Sequence, residues 1–468
     1  MNILILNPPA YQGVKFIREG RCEQRLSSFQ FVMVPISLPL IAGLLGANGH
    51  EVKIIDTTVE DYSLNRLEKK IKEFDPKLII VNFSTTTFYG DIETVKFVKG
   101  LNNAHLTAIG THVTSLPQET LEQSLLDSVI RGEPEKIGLD LAEALEAKEA
   151  LENVKGLSFK NGEKIVHNSA RPFIKDLDEL PFPARDLLKN DRYIMPISNK
   201  PYTLVVSSRG CTHNCIYCTA KQYYGKELRL RSAKNVVDEV EEVVDKFEIK
   251  NITMWSDTFT LDRDFVVAVS NEILKRNLNF NWMANSRVDR VDYDLLKLMK
   301  ESGCSMLSFG VESGVQQILN NVKKGATLEH AEQAFDLCRE LGIETIAHFI
   351  FGLPDDNMKT MYATRQLVKQ LQCDWVNFYC AMAYPGSQLY KDTPKEDLPD
   401  KWEDYDQYSP NMKPLPTKHL TSNQVLEYRD MSFKGYFSDK HYLKRIENKF
   451  GEQAVNQIQE MLEWSPRN

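Results

Sequence analysis

The chain has 468 residues, of which 42% are hydrophobic and 26% charged, with a formal net charge of −8. That is the composition of a globular protein long enough for about three domains. The negative balance disfavours a nucleic-acid binder relying on overall positive charge, and eight cysteines in so long a chain do not read as a secreted disulfide scaffold.

The opening run Met1-Asn-Ile-Leu-Ile-Leu-Asn-Pro8 reads as a short strand, without the basic start and long apolar stretch of a signal peptide. Over residues 1–145, apolar strands at 2–6, 51–55, 78–83, 106–109 and 128–131 are separated by helices, among them 38–48, 64–73 and 91–99. The apolar run 31–47 is broken by Pro35 and Pro39 and is too short for a membrane span; it predicts a loop entering a buried helix. This alternation predicts a doubly wound, Rossmann-like parallel sheet in an α/β fold. Ligands on such sheets bind outside the carboxyl ends of the strands. The loops there are Asn7-Pro-Pro9, Asp56-Thr-Thr58, Ser84-Thr-Thr-Thr87, Gly110-Thr-His112 and Arg131-Gly-Glu133. They are rich in hydroxyls and backbone donors, and Ser84, Thr85, Thr86, Gly110 and His112 are the candidates for lining a site. The alternative is that they are ordinary strand-end loops. No Gly-x-Gly-x-x-Gly follows the first strand, so the dinucleotide reading is weak.

Residues 146–200 read as a linker. It contains a hairpin around Asn161-Gly162 and a proline-punctuated stretch over 176–186. Residues 201–390 then repeat a second pattern. Strands at 202–206, 251–255, 279–284, 305–309, 344–351 and 375–379 alternate with helices at 233–247, 264–276, 293–302, 328–341 and 358–371. Six strands in such units predict a partial (β/α)6 barrel, with its active site at the strand carboxyl ends. Residues 391–468 are charged and helical, with amphipathic helices at 425–437 and 441–450. Trp402, Tyr405, Tyr408 and Pro410 predict an aromatic strip packed on the barrel.

The first barrel strand leads into Ser208-Arg-Gly-Cys-Thr-His-Asn-Cys-Ile-Tyr-Cys-Thr219. Cys211, Cys215 and Cys218 are spaced C-x3-C-x2-C. Three thiolates can grip three corners of a [4Fe-4S] cluster, which normally takes four cysteines. The fourth iron is then open to a small molecule. A structural zinc site needs four ligands; His213 could be the fourth only with awkward geometry, and no second Cys-x2-Cys pair exists. Three ordinary buried thiols are the other alternative. Cys22, Cys304, Cys338, Cys373 and Cys380 are scattered and read as core or spare thiols.

The triplet, with Tyr217 in the aromatic position before the third cysteine, resembles the signature of the radical S-adenosylmethionine (SAM) superfamily. In that family the open iron binds the amino and carboxylate groups of SAM. An electron from the reduced cluster then splits SAM into methionine and a 5′-deoxyadenosyl radical, which abstracts hydrogen from substrate. The resemblance implies that Ser256 and Asp257 lie near the SAM amino group, Asn285 and Arg287 near ribose or carboxylate, and Glu312 near ribose. It puts His348 and Gly352-Leu-Pro354 near adenine or substrate. Strand-end polar residues also cap helices, and a lone histidine such as His348 is often a core residue. Arg229, Arg231 and Glu239 read as structural ion pairs.

The first domain looks like the cobalamin-binding domain attached to many radical SAM enzymes. The likeness rests on Pro35-Ile-Ser-Leu-Pro-Leu-Ile-Ala42 before Gly49-His-Glu-Val-Lys-Ile-Ile-Asp56, and on Asp127-Ser-Val-Ile-Arg-Gly-Glu-Pro-Glu135. The Asp-x-His-x-x-Gly motif, whose histidine ligates cobalt in other cobalamin domains, is absent from the sequence. The implied protein is a cobalamin-dependent radical SAM enzyme, most simply a C-methyltransferase. An oxidative cyclase or rearrangement enzyme, or a non-catalytic cobalamin-binding protein, are the alternatives. The implied partners are a small-molecule or lipid substrate and a flavodoxin- or ferredoxin-type electron donor. No nucleic acid and no membrane span are expected, and the oxygen-poor cytoplasm suits an exposed cluster.

Overall fold

Five apolar runs form the parallel part of the first sheet in the computed structural model, which describes residues 1–11, 13–19, 24–26, 32–60 and 62–463. Cys22 lies outside the described residues. The strands are β1 (Asn2–Asn7), β2 (Glu51–Asp56), β3 (Leu78–Asn82), β4 (His105–Ile109) and β5 (Ser128–Ile130). Their side chains alternate between two faces, and both faces are covered. Ile3, Ile5 and Ile80 pack with Leu38, Ile41 and Leu45 of α1 (Ser37–Ala47) and with Ile137 and Leu141 of α4 (Pro134–Ala147). Leu4, Leu6, Ile79 and Val81 point the other way, against α2 (Leu64–Phe74) and α3 (Phe88–Lys99).

The strand order is β2-β1-β3-β4-β5, which puts a topological switch point, and hence a ligand crevice, at the ends of β1 and β3. The hairpin read within the linker extends this sheet. Its strands β6 (Leu157–Asn161) and β7 (Lys164–His167) add on antiparallel, with Ile130 opposite Leu157. The turn was legible from Asn161-Gly162. The sheet it joins was not, because that pairing depends on tertiary placement.

The second sheet has six parallel strands in sequence order: β8 (Thr203–Val206), β9 (Asn251–Trp255), β10 (Asn281–Ser286), β11 (Cys304–Glu312), β12 (Glu344–Phe351) and β13 (Trp375–Cys380). Right-handed crossovers between sequential neighbours put every connecting helix on one side. These helices are α5 (Ala233–Lys246), α6 (Arg263–Arg276), α7 (Tyr293–Glu301), α8 (Leu328–Glu340) and α9 (Met358–Leu371). Met254, Trp282, Leu307, Phe309, Phe349 and Phe378 meet Val240, Val266, Leu296, Phe335 and Val368 in one core. The result is the partial barrel expected.

The C-terminal helices α10 (Ser422–Phe437), α11 (Lys440–Phe450) and α12 (Glu452–Glu463) pack on the same core through Val425, Tyr436, Ile446 and Ile458. The third of these helices was not predicted. Gln407 bonds both the backbone N–H and the carbonyl of Cys380, at 3.0 Å each, and so covers the free edge of β13. The aromatic strip differs from expectation. Tyr405 does pack on Tyr384 at the end of β13, but Trp402 lies against Phe88 and His112 of the first domain. It bridges the two sheets instead of covering only the barrel. Cys304, Cys338, Cys373 and Cys380 are buried, as core thiols should be. Among the described residues no helix is long and apolar enough to cross a membrane.

Candidate active site between the two sheets

The cysteine loop leaves β8 and returns along the barrel mouth. Gly210 has φ +85°, and a Cβ there would run into the Glu227 carbonyl oxygen, so only glycine turns the chain into Cys211. Further on, the Ile216 N–H donates to the Val322 carbonyl (3.2 Å), and the Leu389 N–H donates to the Ile216 carbonyl (2.8 Å). Ile216 and Tyr217 pack against Leu353, Ala381 and Ala383 at the strand ends. The loop is thus pinned while Cys211, Cys215 and Cys218 stay half-buried. Among the described residues no three His, Cys, Asp or Glu side chains close around one point as a single-ion ligand set. A cubane spreads its thiolate corners more widely than one ion does, and it fits a half-buried, rigidly braced triplet. His213, the rejected zinc ligand, is held neutral: burial, then the nearby Arg287, push its pKa down to about 4.

One polar residue within this loop and three at the strand ends or the loop that follows are the candidate binding groups. Glu312 follows a register shift in β11 and has φ +73°. Its carboxylate accepts from Lys324 Nζ at 2.8 Å, both side chains being buried. Burial pushes the Glu312 pKa up, but Lys324 outweighs it and holds the group below the usual range. Tyr217 lies in the same surroundings, its phenol raised by burial and by Glu312. Ser256 is buried at the end of β9, and its hydroxyl has no hydrogen-bond partner among the described residues. Asn285 is half-buried at the end of β10, opposite Ser308 of β11.

Arg287 is differently placed. It binds Asp289 (Nε–Oδ1 2.8 Å) and the Lys324 carbonyl (2.7 Å), which ties two strand-end loops together. His348 is fixed within the barrel, with Nε2 2.6 Å from Ser308 Oγ and Nδ1 3.3 Å from Asn377 Nδ2.

The mouths of the two sheets face each other across one cleft. Its walls include Asn82, Gly110 and Thr111 from the first sheet, Thr219 and Tyr223 beyond the cysteines, and Trp255 and Asp257 from the barrel. Gly110 has φ +128°, and a Cβ there would hit the Phe83 carbonyl oxygen, so only glycine makes this turn at the cleft wall. Backbone donors, hydroxyls and aromatic rings suit the edge of a corrin. The cleft itself encloses about 70 Å³, less than a corrin occupies. Arg18 narrows it by clasping Asp91 (2.7 Å), Thr87 (3.1 Å) and the Asn82 carbonyl (3.1 Å). Ser84, Thr85 and Thr86 are buried beneath that clasp, with Ser84 Oγ 2.8 Å from Thr87 Oγ1. His112 is outside the cleft-lining set. Its ring lies between Phe88 and Trp402, and burial lowers its pKa to about 3.

An ion-pair network welds the cysteine loop to the first domain. Arg209, two residues before Cys211, bonds Glu133 (3.1 Å) and Glu135 (2.5 Å) at the end of β5, and Arg229 shares Glu133 at 2.8 Å. All four side chains are buried. Arg231 and the linker's Arg185 both grip the buried Glu239. Arg231, Glu239 and Arg229 were read as structural ion pairs, but the acid facing Arg229 is Glu133. Lys324, Arg18, Arg209 and Glu135 were missed as site residues. In the sequence Lys324 is indistinguishable from Lys323, whereas Glu133 and Glu135 did fall within a quoted strand-end motif.

Comparison with known proteins agrees with this arrangement. A family model described as the Radical SAM superfamily matches residues 205–368, and one described as the B12 binding domain matches residues 25–142. An uncharacterized methyltransferase of Pyrococcus horikoshii is 32% identical over 91% of this chain and 90% of its own. The anaerobic magnesium-protoporphyrin IX monomethyl ester cyclase of Rubrivivax gelatinosus is 28% identical over 88% of this chain and 75% of its own. The solved radical S-adenosylmethionine methyltransferase TsrM from Kitasatospora setae, with cobalamin and a [4Fe-4S] cluster bound, shares the fold. Its TM-score is 0.71 at 17% identity, covering 92% of this chain and 88% of that one. A braced cysteine triplet beside a strand-end crevice, with both matched domains present and a relative 32% identical over nearly the whole chain, settles the family: the chain belongs to the cobalamin-dependent radical SAM enzymes, whose cofactors are a [4Fe-4S] cluster, SAM and cobalamin.

Proposed function

We propose that the protein is a C-methyltransferase acting on an unactivated carbon of a small-molecule or lipid substrate. The observation that carries the reading is the shared cleft: residues of the first sheet, the segment that directly follows the third cysteine and the barrel line one space. A group held by the first domain therefore faces one held by the barrel. When bound, the cluster supplies the electron that splits SAM, and cobalamin supplies a transferable methyl group.

The chain does the rest. Cys211, Cys215 and Cys218 hold three irons. Ser256, Asp257 and Asn285 orient SAM, with Tyr217 and the Glu312–Lys324 pair behind them, and Arg287 braces the loops carrying them. His348 faces the substrate side. Gly110 would line the side of the cleft that receives cobalamin, Ser84, Thr85 and Thr86 would support that wall from within, and His112 would stiffen it by packing between Phe88 and Trp402. The electron donor is a flavodoxin or ferredoxin, and the cytoplasm is the compartment.

A second reading is supported by the cyclase relative: oxidative ring closure with no methyl transferred. The test is anaerobic turnover with cobalamin, SAM and a reductant. S-adenosylhomocysteine and 5′-deoxyadenosine accumulating together is the expected result. 5′-deoxyadenosine alone, with an unmethylated product, would replace methylation with the cyclase reading.

A further inference from the structure

The barrel has two faces with different fates. Residues facing the helices, such as Leu307, Phe309, Ala347 and Phe349, are buried. Those alternating with them, such as Met283, Met306, Ile346 and Ile350, are only half-buried. A complete eight-stranded barrel fills its interior with side chains; six strands leave this face as an open lumen. At its upper end Trp255 is also a wall of the cleft between the sheets, so the lumen and the cleft share that side chain.

The chemistry of this lumen is distinctive for what its strands lack. None of the six strands contains a lysine or an arginine. Their only carboxylates are Glu312 and Glu344. The cations placed at the strand ends and in the cleft are already engaged, Lys324 by Glu312, Arg287 by Asp289 and Arg18 by Asp91. A phosphate or carboxylate entering the lumen would lose its water and meet no counter-charge, which is costly. Glu344, half-buried opposite Met306, adds negative charge at the foot whenever it ionises. The other polar groups on this face, Thr253, Asn285, Ser308, His348, Asn377 and Tyr379, are uncharged or weakly basic, and the hydroxyl, imidazole and amide of Ser308, His348 and Asn377 are tied together across three adjacent strands. Tyr379 stacks on His348, with ring centroids 5.8 Å apart.

Building on the proposed function, with the substrate beside this lumen, we propose that the substrate part entering it is uncharged, with a hydrogen-bonding group received by Ser308, His348 and Asn377. Met283, Met306, Ile346 and Ile350 supply the apolar wall. Below the SAM-binding mouth, substrates that carry a phosphate or carboxylate are excluded from it.

The test uses two probes of nearly the same shape: neutral N-phenyl-1-naphthylamine and its sulfonated counterpart 8-anilinonaphthalene-1-sulfonate. Each is titrated by fluorescence into the anaerobically reconstituted full chain. The neutral probe is expected to bind at least about tenfold more tightly than the sulfonate. Ile346→Arg is expected to weaken the neutral probe by a similar factor and to reverse the order. Met283→Lys serves the same purpose if Ile346→Arg does not give a cooperative thermal melt. Equal or tighter binding of the sulfonate by the wild type, or neutral-probe binding unmoved by the substitution, would overturn the proposal. Release of 5′-deoxyadenosine from SAM in the same preparation reports on the proposed function separately. A protein that cleaves SAM but binds both probes alike keeps its function and loses this substrate class.

Discussion

Alanine at any one of Cys211, Cys215 or Cys218 is expected to abolish reductive cleavage of SAM and to strip most of the iron, which in the wild type should be about four per chain. The reason is geometric. Three protein corners are already one fewer than an ordinary cluster has, so a further loss leaves two, and among the described residues no spare thiol stands by. Cys304, Cys338, Cys373 and Cys380 are buried within the barrel core or beneath the C-terminal helices. Burial also pushes the thiols of Cys304, Cys338 and Cys373 up, which makes them poor thiolate donors. The apo protein should nonetheless unfold at nearly the wild-type urea concentration, because the three ligands are half-buried in a loop and outside the hydrophobic cores. Iron assay, SAM-cleavage assay and urea melt together separate a lost cluster from a lost fold.

The second large effect is expected at Arg209. Replacing it with methionine strands the buried carboxylate of Glu135, which Arg209 meets at 2.5 Å. Removing one partner of a buried pair costs about 3–5 kcal/mol, a large share of the roughly 5–15 kcal/mol that holds a domain folded. Urea unfolding should register a loss of that size. The damage should also reach the cluster, because Arg209 is the anchor immediately before Gly210 and Cys211. Iron retention should fall although no ligand has changed. The double variant Arg209→Met with Glu135→Leu should regain most of the stability, since replacing a buried pair by apolar groups of similar volume is often neutral. If Arg209→Met is as stable as the wild type, the network is ornamental. If the double variant is worse than the single one, Glu135 has a further role.

Much of the fold was legible because its strands are short apolar runs bounded by glycine, proline and hydroxyl residues. Asn251–Trp255 and Glu344–Phe351 were read to the residue. Boundaries slipped where polar residues end a strand. The third and fourth barrel strands, read as stopping at Ala284 and Phe309, run on to Ser286 and Glu312. Their extra residues are partly strand-end site groups, and hydrogen bonding with neighbours, not hydrophobicity, keeps them in the sheet.

The cysteine triplet was legible because its spacing is local. Asp257 and Gly110 were named as candidates, and both line the cleft. What escaped was everything that depends on long-range pairing. Arg209 and Glu135 are 74 residues apart, and nothing in either segment announces the other. Arg18 in the cleft and Trp402 against His112 belong to the same class. The N-terminal segment and the C-terminal strip meet the first sheet's mouth through tertiary packing that neither segment's local pattern announces. Arg287 shows the converse: a residue type suited to gripping SAM is spent on Asp289 and a backbone carbonyl.

The open iron at the mouth of the barrel is tested most directly by Mössbauer spectroscopy of the wild-type protein reconstituted anaerobically with ⁵⁷Fe, recorded without and with SAM. Three thiolate corners and one vacancy predict a cubane cluster in which roughly a quarter of the iron signal changes its parameters when SAM is added. A cubane whose spectrum ignores SAM, or a protein that assembles no cubane at all, would contradict it.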